Sequence, residues 1–91
     1  MNHAQFLIDA AQLVKPRGDV YGSIRLNHEK IAAIASVLTG INLSPHDILM
    51  VMVAVKLSRI AKTPDHVDSY LDAINYLSFA GEIATDGVGK G

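Results

Sequence analysis

From Ser44 to Tyr76 the chain reads SPHDILMVMVAVKLSRIAKTPDHVDSYLDAINY, and this stretch decides the fold class. Ser44 followed by Pro45 and, three residues on, Asp47 is a helix start: a hydroxyl to cap, a ring that fixes the first helical φ, and a carboxylate to complete an S-x-x-D box. Ile48 to Val55 is then apolar without interruption, and nothing in the segment alternates with the period of two that marks a half-buried strand. Thr63-Pro64 repeats the cap-plus-proline device and predicts a further helix running to about Ala84. The turn between the two is short, so the helices are expected to form an antiparallel hairpin. The run Ile48–Val55 is apolar on every side, which places that helix at the centre of a bundle or in an oligomer interface.

Working outward, Gly40 offers a left-handed exit from a preceding helix, I31-AAIASV-L38, on which Ile31, Ile34 and Leu38 recur at helical spacing and which Asn27 is expected to cap. Before it, Pro16, Gly18 and Gly22 predict an irregular connection over residues 15–26. The first helix begins at Asn2, with Gln5 three residues later, carries Phe6, Ala10 and Leu13 on one face, and is expected to stop before Pro16. The expectation is therefore an all-α, compact four-helix bundle: one helical domain over residues 1–86, with a disordered tail over residues 87–91 that has little to bury.

Composition agrees with one aliphatic core. Of 91 residues 49% are hydrophobic, yet only two are Phe, three are Tyr and none is Trp. A formal charge of −1 gives no global basic surface for duplex nucleic acid. Without cysteine there is no disulfide, thiol nucleophile or Cys-ligated zinc. The longest apolar run is far short of the roughly 20 residues a membrane helix needs. A soluble, cytoplasmic protein is expected, with no membrane partner.

Charge is concentrated on the hairpin. With the turn centred on Lys62 to Pro64, an antiparallel pairing puts Arg59 near Asp68 and Lys56 near Asp72. Asp65, Asp68, Asp72 and Asn75 follow i, i+3, i+7, i+10 and so share one side of the fourth helix. Two readings fit. The stripes can be inter-helix salt bridges that fix register, each contributing around 0–1 kcal/mol. Alternatively they line a cleft in which Asp68 and Asp72 hold a divalent cation and Lys56 and Arg59 meet phosphate, since Mg²⁺ favours carboxylate oxygens together with water and substrate phosphates.

Four segments, Arg17–Ser23 (RGDVYGS), Asn27–Ala33 (NHEKIAA), Lys56–Ile60 (KLSRI) and Asp68–Tyr76 (DSYLDAINY), resemble small phage and prophage proteins of unknown function that look like compact members of the MazG-like, all-α nucleotide pyrophosphohydrolases. The resemblance spans roughly residues 15–84. It implies a MazG-like bundle assembled as a homo-oligomer, in the host cytoplasm if phage-encoded. Asp68 and Asp72 match the superfamily's later acidic pair, with Asn75 or Tyr76 beside the ligand. The earlier Glu-x-x-Glu pair is missing, leaving Glu29 as the one acid near the start of the second helix.

The resemblance thus implies binding of a nucleotide or related phosphorylated small molecule, with pyrophosphate release slow or absent; Mg²⁺ would be held by Asp68, Asp72 and Glu29. Mg²⁺-dependent pyrophosphohydrolysis and a non-enzymatic, host-protein-binding role are the alternatives. Tyr21 is a candidate to stack on a base or else to anchor its loop. The histidines lack H-x-x-x-H spacing, and His28 is the most interesting of them because it adjoins Glu29 beside the expected cleft.

Overall fold

The computed structural model describes residues 1–21 and 24–86, with side chains described for residues 1–14 and 24–86. The expected tail at residues 87–91 lies outside the described residues. Four helices, α1 (His3–Tyr21), α2 (Ile24–Thr39), α3 (Pro45–Lys62) and α4 (Val67–Thr85), make up the described chain, which contains no strand.

The local signals of the hairpin act as their chemistry requires. Asp47 N–H donates to Ser44 Oγ at 3.0 Å while Ser44 N–H donates to Asp47 Oδ2 at 2.9 Å, the reciprocal capping box. Gly40 takes φ +72°, the left-handed turn that an L side chain resists, and its N–H reaches Ser36 O at 3.0 Å. Ser36 ties the exit down: its hydroxyl donates to Ala32 O at 2.7 Å and accepts from Leu43 N–H at 2.9 Å. At the other end of the sequence, Gln5 N–H donates to Asn2 Oδ1 at 2.9 Å, but the Gln5 side chain turns forward to Asp9 Oδ1 at 2.7 Å, so only half of a capping box forms.

Three boundaries differ from expectation. α1 does not stop before Pro16 but continues to Tyr21. A proline removes one N–H···O=C bond and crowds one carbonyl, a cost of about 3 kcal/mol, yet it leaves the remaining ladder bonds in place. The irregular connection expected over residues 15–26 is consequently replaced by helix on both sides, and α2 begins at Ile24. Asn27 therefore lies inside the first turn of α2 and is not its cap. α4 begins at Val67, three residues after Pro64. Thr63 closes α3 instead, its N–H donating to Arg59 O at 2.8 Å, and Pro64–Asp65 form the turn. The Tyr70 hydroxyl holds that turn by donating to Pro64 O at 2.7 Å.

The centre of the bundle is the α3–α4 pair: the two pack most extensively on each other, with α1 against α4 and α2 against α3. Ser69, Leu71, Ala73, Asn75 and Ala80 of α4 are all buried. The apolar run of α3 is divided: Ile48, Leu49 and Val53 face inward, with Leu49 fully enclosed, whereas Val51 and Leu57 are more than half exposed. Four of the eight buried apolar side chains among the described residues are alanines, which let the helices approach closely but bury little area each.

Candidate functional site

Helices α1, α2 and α4 enclose a cleft with a cavity volume of about 190 Å³. Leu13 and Val14 of α1, Ile24 of α2 and Phe79 of α4 form its apolar wall. Its polar wall comes from Asn27 and His28 on the first turns of α2 and from Asp72, Asn75 and Tyr76 on α4. On α4 the spacing of Asp72, Asn75, Tyr76 and Phe79 is i, i+3, i+4, i+7, which keeps all four on one face.

His28 is 8% exposed, and its Nδ1 lies 2.8 Å from Ile24 O. A carbonyl only accepts, so Nδ1 carries the proton and a neutral ring is left with Nε2 as an acceptor. The ring meets Tyr76 edge to face, with centroids 6.5 Å apart. Asn75 is 9% exposed, and its carbonyl accepts from Ser78 Oγ at 2.8 Å. Its side-chain amide makes no hydrogen bond among the described residues and opens on the cleft. No side-chain polar atom among the described residues is both sealed from solvent and without a partner, so the Asn75 amide is an accessible donor and acceptor on the cleft wall. Beside it, Lys56 Nζ approaches Asp72 Oδ2 at 3.0 Å, with the two side chains only 13% and 22% exposed.

Of the residues expected to act together, the structure thus joins Lys56 with Asp72 and sets Asn75 and Tyr76 in the same cleft. It separates the others. Arg59 and Asp68 are both exposed and form no ion pair with each other among the described residues. Helical rotation is the reason: three residues on from Lys56 turns the side chain by about −60°, and four residues back from Asp72 by about 40°, so the second pair leaves the seam that the first occupies. Asp65 sits in the turn and not on the α4 stripe. Glu29 lies 3.9 Å from Arg25 and is half exposed, outside the cleft. Tyr21 closes α1, and its side chain lies outside the described residues. No three His, Cys, Asp or Glu side chains gather as a metal set among the described residues.

A family described as "Domain of unknown function (DUF6378)" matches residues 5–84, which include the whole cleft. The chain belongs to the DUF6378 family. The Gene 55 protein of Mycobacterium phage L5 is 30% identical over 61 residues, covering 66% of this chain. The chain spans only 39% of that relative's length. No solved structure matches. Kinship with phage proteins of unknown function is thereby met, while the MazG-like likeness rests on the sequence motifs alone. Among the described residues, no helix is long and apolar enough to cross a membrane.

Among the described residues of this DUF6378 chain two charged groups are shifted, both outside the cleft. The hydrogen bond and then the charge of Asp86 raise Arg25, tying the start of α2 to the end of α4. The Ser44 backbone N–H, and then the Ser44 hydroxyl, hold Asp47 below the usual carboxylate value. Asn27 and the apolar wall were not singled out from the sequence as site residues. Asn27 was assigned to a cap, and Leu13, Val14 and Phe79 carry no chemistry that distinguishes a cleft wall from a core. The signal that existed was the adjacency of Asn27 to His28.

Proposed function

We propose that this DUF6378 domain binds a nucleotide or a related phosphorylated small molecule in the α1–α2–α4 cleft. The observation that carries the reading is Asn75, a carboxamide 9% exposed with no side-chain hydrogen bond among the described residues. One donor and one acceptor side by side against the apolar face of Phe79 suit a flat heterocycle with a hydrogen-bonding edge. Asn27 and the His28 Nε2 acceptor supply further polar contacts at the same wall, and Lys56, held by Asp72, is the nearby cation for phosphate. The MazG-like motifs support the same ligand class. Glu29, Asp68 and Asp72 do not gather into a set that fits a resident Mg²⁺, so the reading is binding or sequestration, and no hydrolytic step is assigned.

A thermal-shift panel of nucleotides, with and without Mg²⁺, tests this. A ligand at tenfold over its Kd adds about 1.4 kcal/mol, which for a domain of this size raises the Tm by roughly 6–11 °C. Asn75→Ala should abolish the shift while retaining helicity by circular dichroism, and pyrophosphate release should be slow or undetectable. Brisk turnover lost in Asp72→Asn would establish the hydrolase instead. A complete panel without any shift would leave host-protein binding as the better reading.

A second copy of the chain completes the molecule in this reading. Ile34 is 60%, Val37 83% and Leu38 80% exposed on α2, and with Ile31 of the same helix and Ile41 just beyond its end, 60% exposed, they make up a set of uncharged apolar side chains. Five such side chains expose on the order of 500 Å², at the upper end of what monomers leave bare. A patch without charge meets its own copy with no like-charge penalty, as a two-fold interface requires. Light scattering should return at least a dimer mass at micromolar concentration, and Leu38→Lys should lower it; a monomeric wild type would exclude this assembly.

A further inference from the structure

The turn between α3 and α4 carries a second concavity, separate from the cleft. Ser58, Arg59, Lys62, Thr63 and His66 line a groove of about 270 Å³. Two permanent cations, one titratable ring and two hydroxyls meet there, and no carboxylate is among the lining residues. The nearest acid of the turn, Asp65, instead lines the neighbouring apolar groove beside Phe6 and Tyr70. Neither Arg59 nor Lys62 forms an ion pair among the described residues, so both charges are uncompensated. His66 Nδ1 lies 2.8 Å from Ser69 Oγ, which fixes the ring and leaves Nε2 for another partner. His66 is also the N-cap of α4 and supplies no side-chain cap; the acid that complements the positive end of the α4 dipole is Asp68 in the first turn, which does not line the groove.

We infer that this groove is an oxyanion site for a phosphate or pyrophosphate group, distinct from the cleft and independent of what the cleft binds. A guanidinium fork offers two parallel N–H donors to a tetrahedral anion, an ammonium adds a point charge, and hydroxyls on either side donate as well. At roughly 30 Å³ per water the groove holds about nine waters' volume, room for a pyrophosphate that keeps part of its hydration. The plainer account of Arg59 and Lys62 is that they sit in the last turn of α3 and complement its negative end. Thr63 also closes α3 through its backbone N–H and the His66 ring is fixed by Ser69, but these roles leave the Ser58 and Thr63 hydroxyls and His66 Nε2 without a part.

Titrating the full chain with inorganic pyrophosphate, against sodium chloride at matched ionic strength, and following backbone amide shifts by NMR separates the accounts. The expected result is saturable shifts over residues 58–66 with pyrophosphate and none that saturate with chloride. The double variant R59Q/K62Q should weaken the affinity at least tenfold, and Asn75→Ala should leave it unchanged. Arg59→Lys keeps the charge at the helix end, so stability should hold while the affinity falls severalfold through loss of the fork; this variant decides the matter if the double one unfolds. A parallel titration with a nucleoside triphosphate identifies the source: tighter binding than pyrophosphate assigns the groove to a terminal phosphate, weaker binding to a free anion. Shifts that merely follow ionic strength, or an affinity indifferent to both Arg59 variants, would overturn the assignment.

Discussion

The α3–α4 hairpin and the α1–α2 pair are joined by equally conspicuous punctuation, yet the two connections behave oppositely. Between α2 and α3 and between α3 and α4, each breaking residue has a hydrogen-bonded job. Gly40 takes the left-handed conformation, Ser44 and Asp47 cap one another, and Thr63 closes α3. Between α1 and α2, Pro16 and Gly18 lie within helix. Glycine and proline set a cost against helix, but whether the chain stops is decided by the sum of that cost and everything the continuing helix gains. A breaker accompanied by a side chain that satisfies the orphaned backbone groups is a far stronger stop than a breaker alone.

The largest test of this contrast is Pro16→Ala. If α1 is one helix to Tyr21, restoring a missing N–H and relieving the crowded carbonyl should stabilise the protein by up to about 3 kcal/mol. The corresponding rise in Tm is on the order of 10–20 °C. If residues 15–21 are instead an irregular link in solution, the substitution relaxes the unfolded chain without any gain in the folded one, and Tm falls slightly. Urea melts of the two proteins discriminate between these signs, whatever the precision of either midpoint.

The same contrast explains how far the sequence could be read. Four helices, the hairpin, the capping box at Ser44 and the Lys56–Asp72 pairing were all legible, because each depends on residues within one element or on the register of a short turn. The start of α4 was misplaced because Thr63-Pro64 carries the same letters whether it closes one helix or opens the next; the α3 carbonyls captured Thr63 first. That displacement left Asp65 off the stripe. The cleft itself is a product of three helices meeting, with Leu13, Asn27 and Phe79 brought together from distant positions, and no local pattern encodes such a meeting. Lys56, Asp72 and Asn75 were placed on facing stripes by their spacing, whereas Tyr76 was singled out through the resemblance alone. Arg59 was grouped with them by spacing, and only rotation about the helix axis reassigns it to the groove at the turn.

The smallest predicted effect concerns the hairpin's capping box, and its sign follows from proton linkage. Asp47 is held below its ordinary carboxylate value, first by the Ser44 backbone N–H and then by the Ser44 hydroxyl. Because the folded-state value is the lower one, the unfolded chain binds the proton more readily. The box therefore contributes its stabilisation above the unfolded value, near pH 4, and loses it as the pH falls through the folded one. Arg25 is shifted the other way, by the hydrogen bond and charge of Asp86, so the guanidinium keeps its own proton throughout an acid melt. Asp47→Asn should accordingly flatten the decline in Tm between about pH 5 and pH 2 without altering its course above pH 6. Ser44→Ala should lower stability at neutral pH by about 1 kcal/mol, the usual value of an N-cap, and should flatten the acid decline only in part because the backbone N–H still donates. An acid limb unchanged in both variants would mean that the hairpin's helix start is not fixed by this box, and the distinction drawn between capped and uncapped breakers would lose its clearest instance.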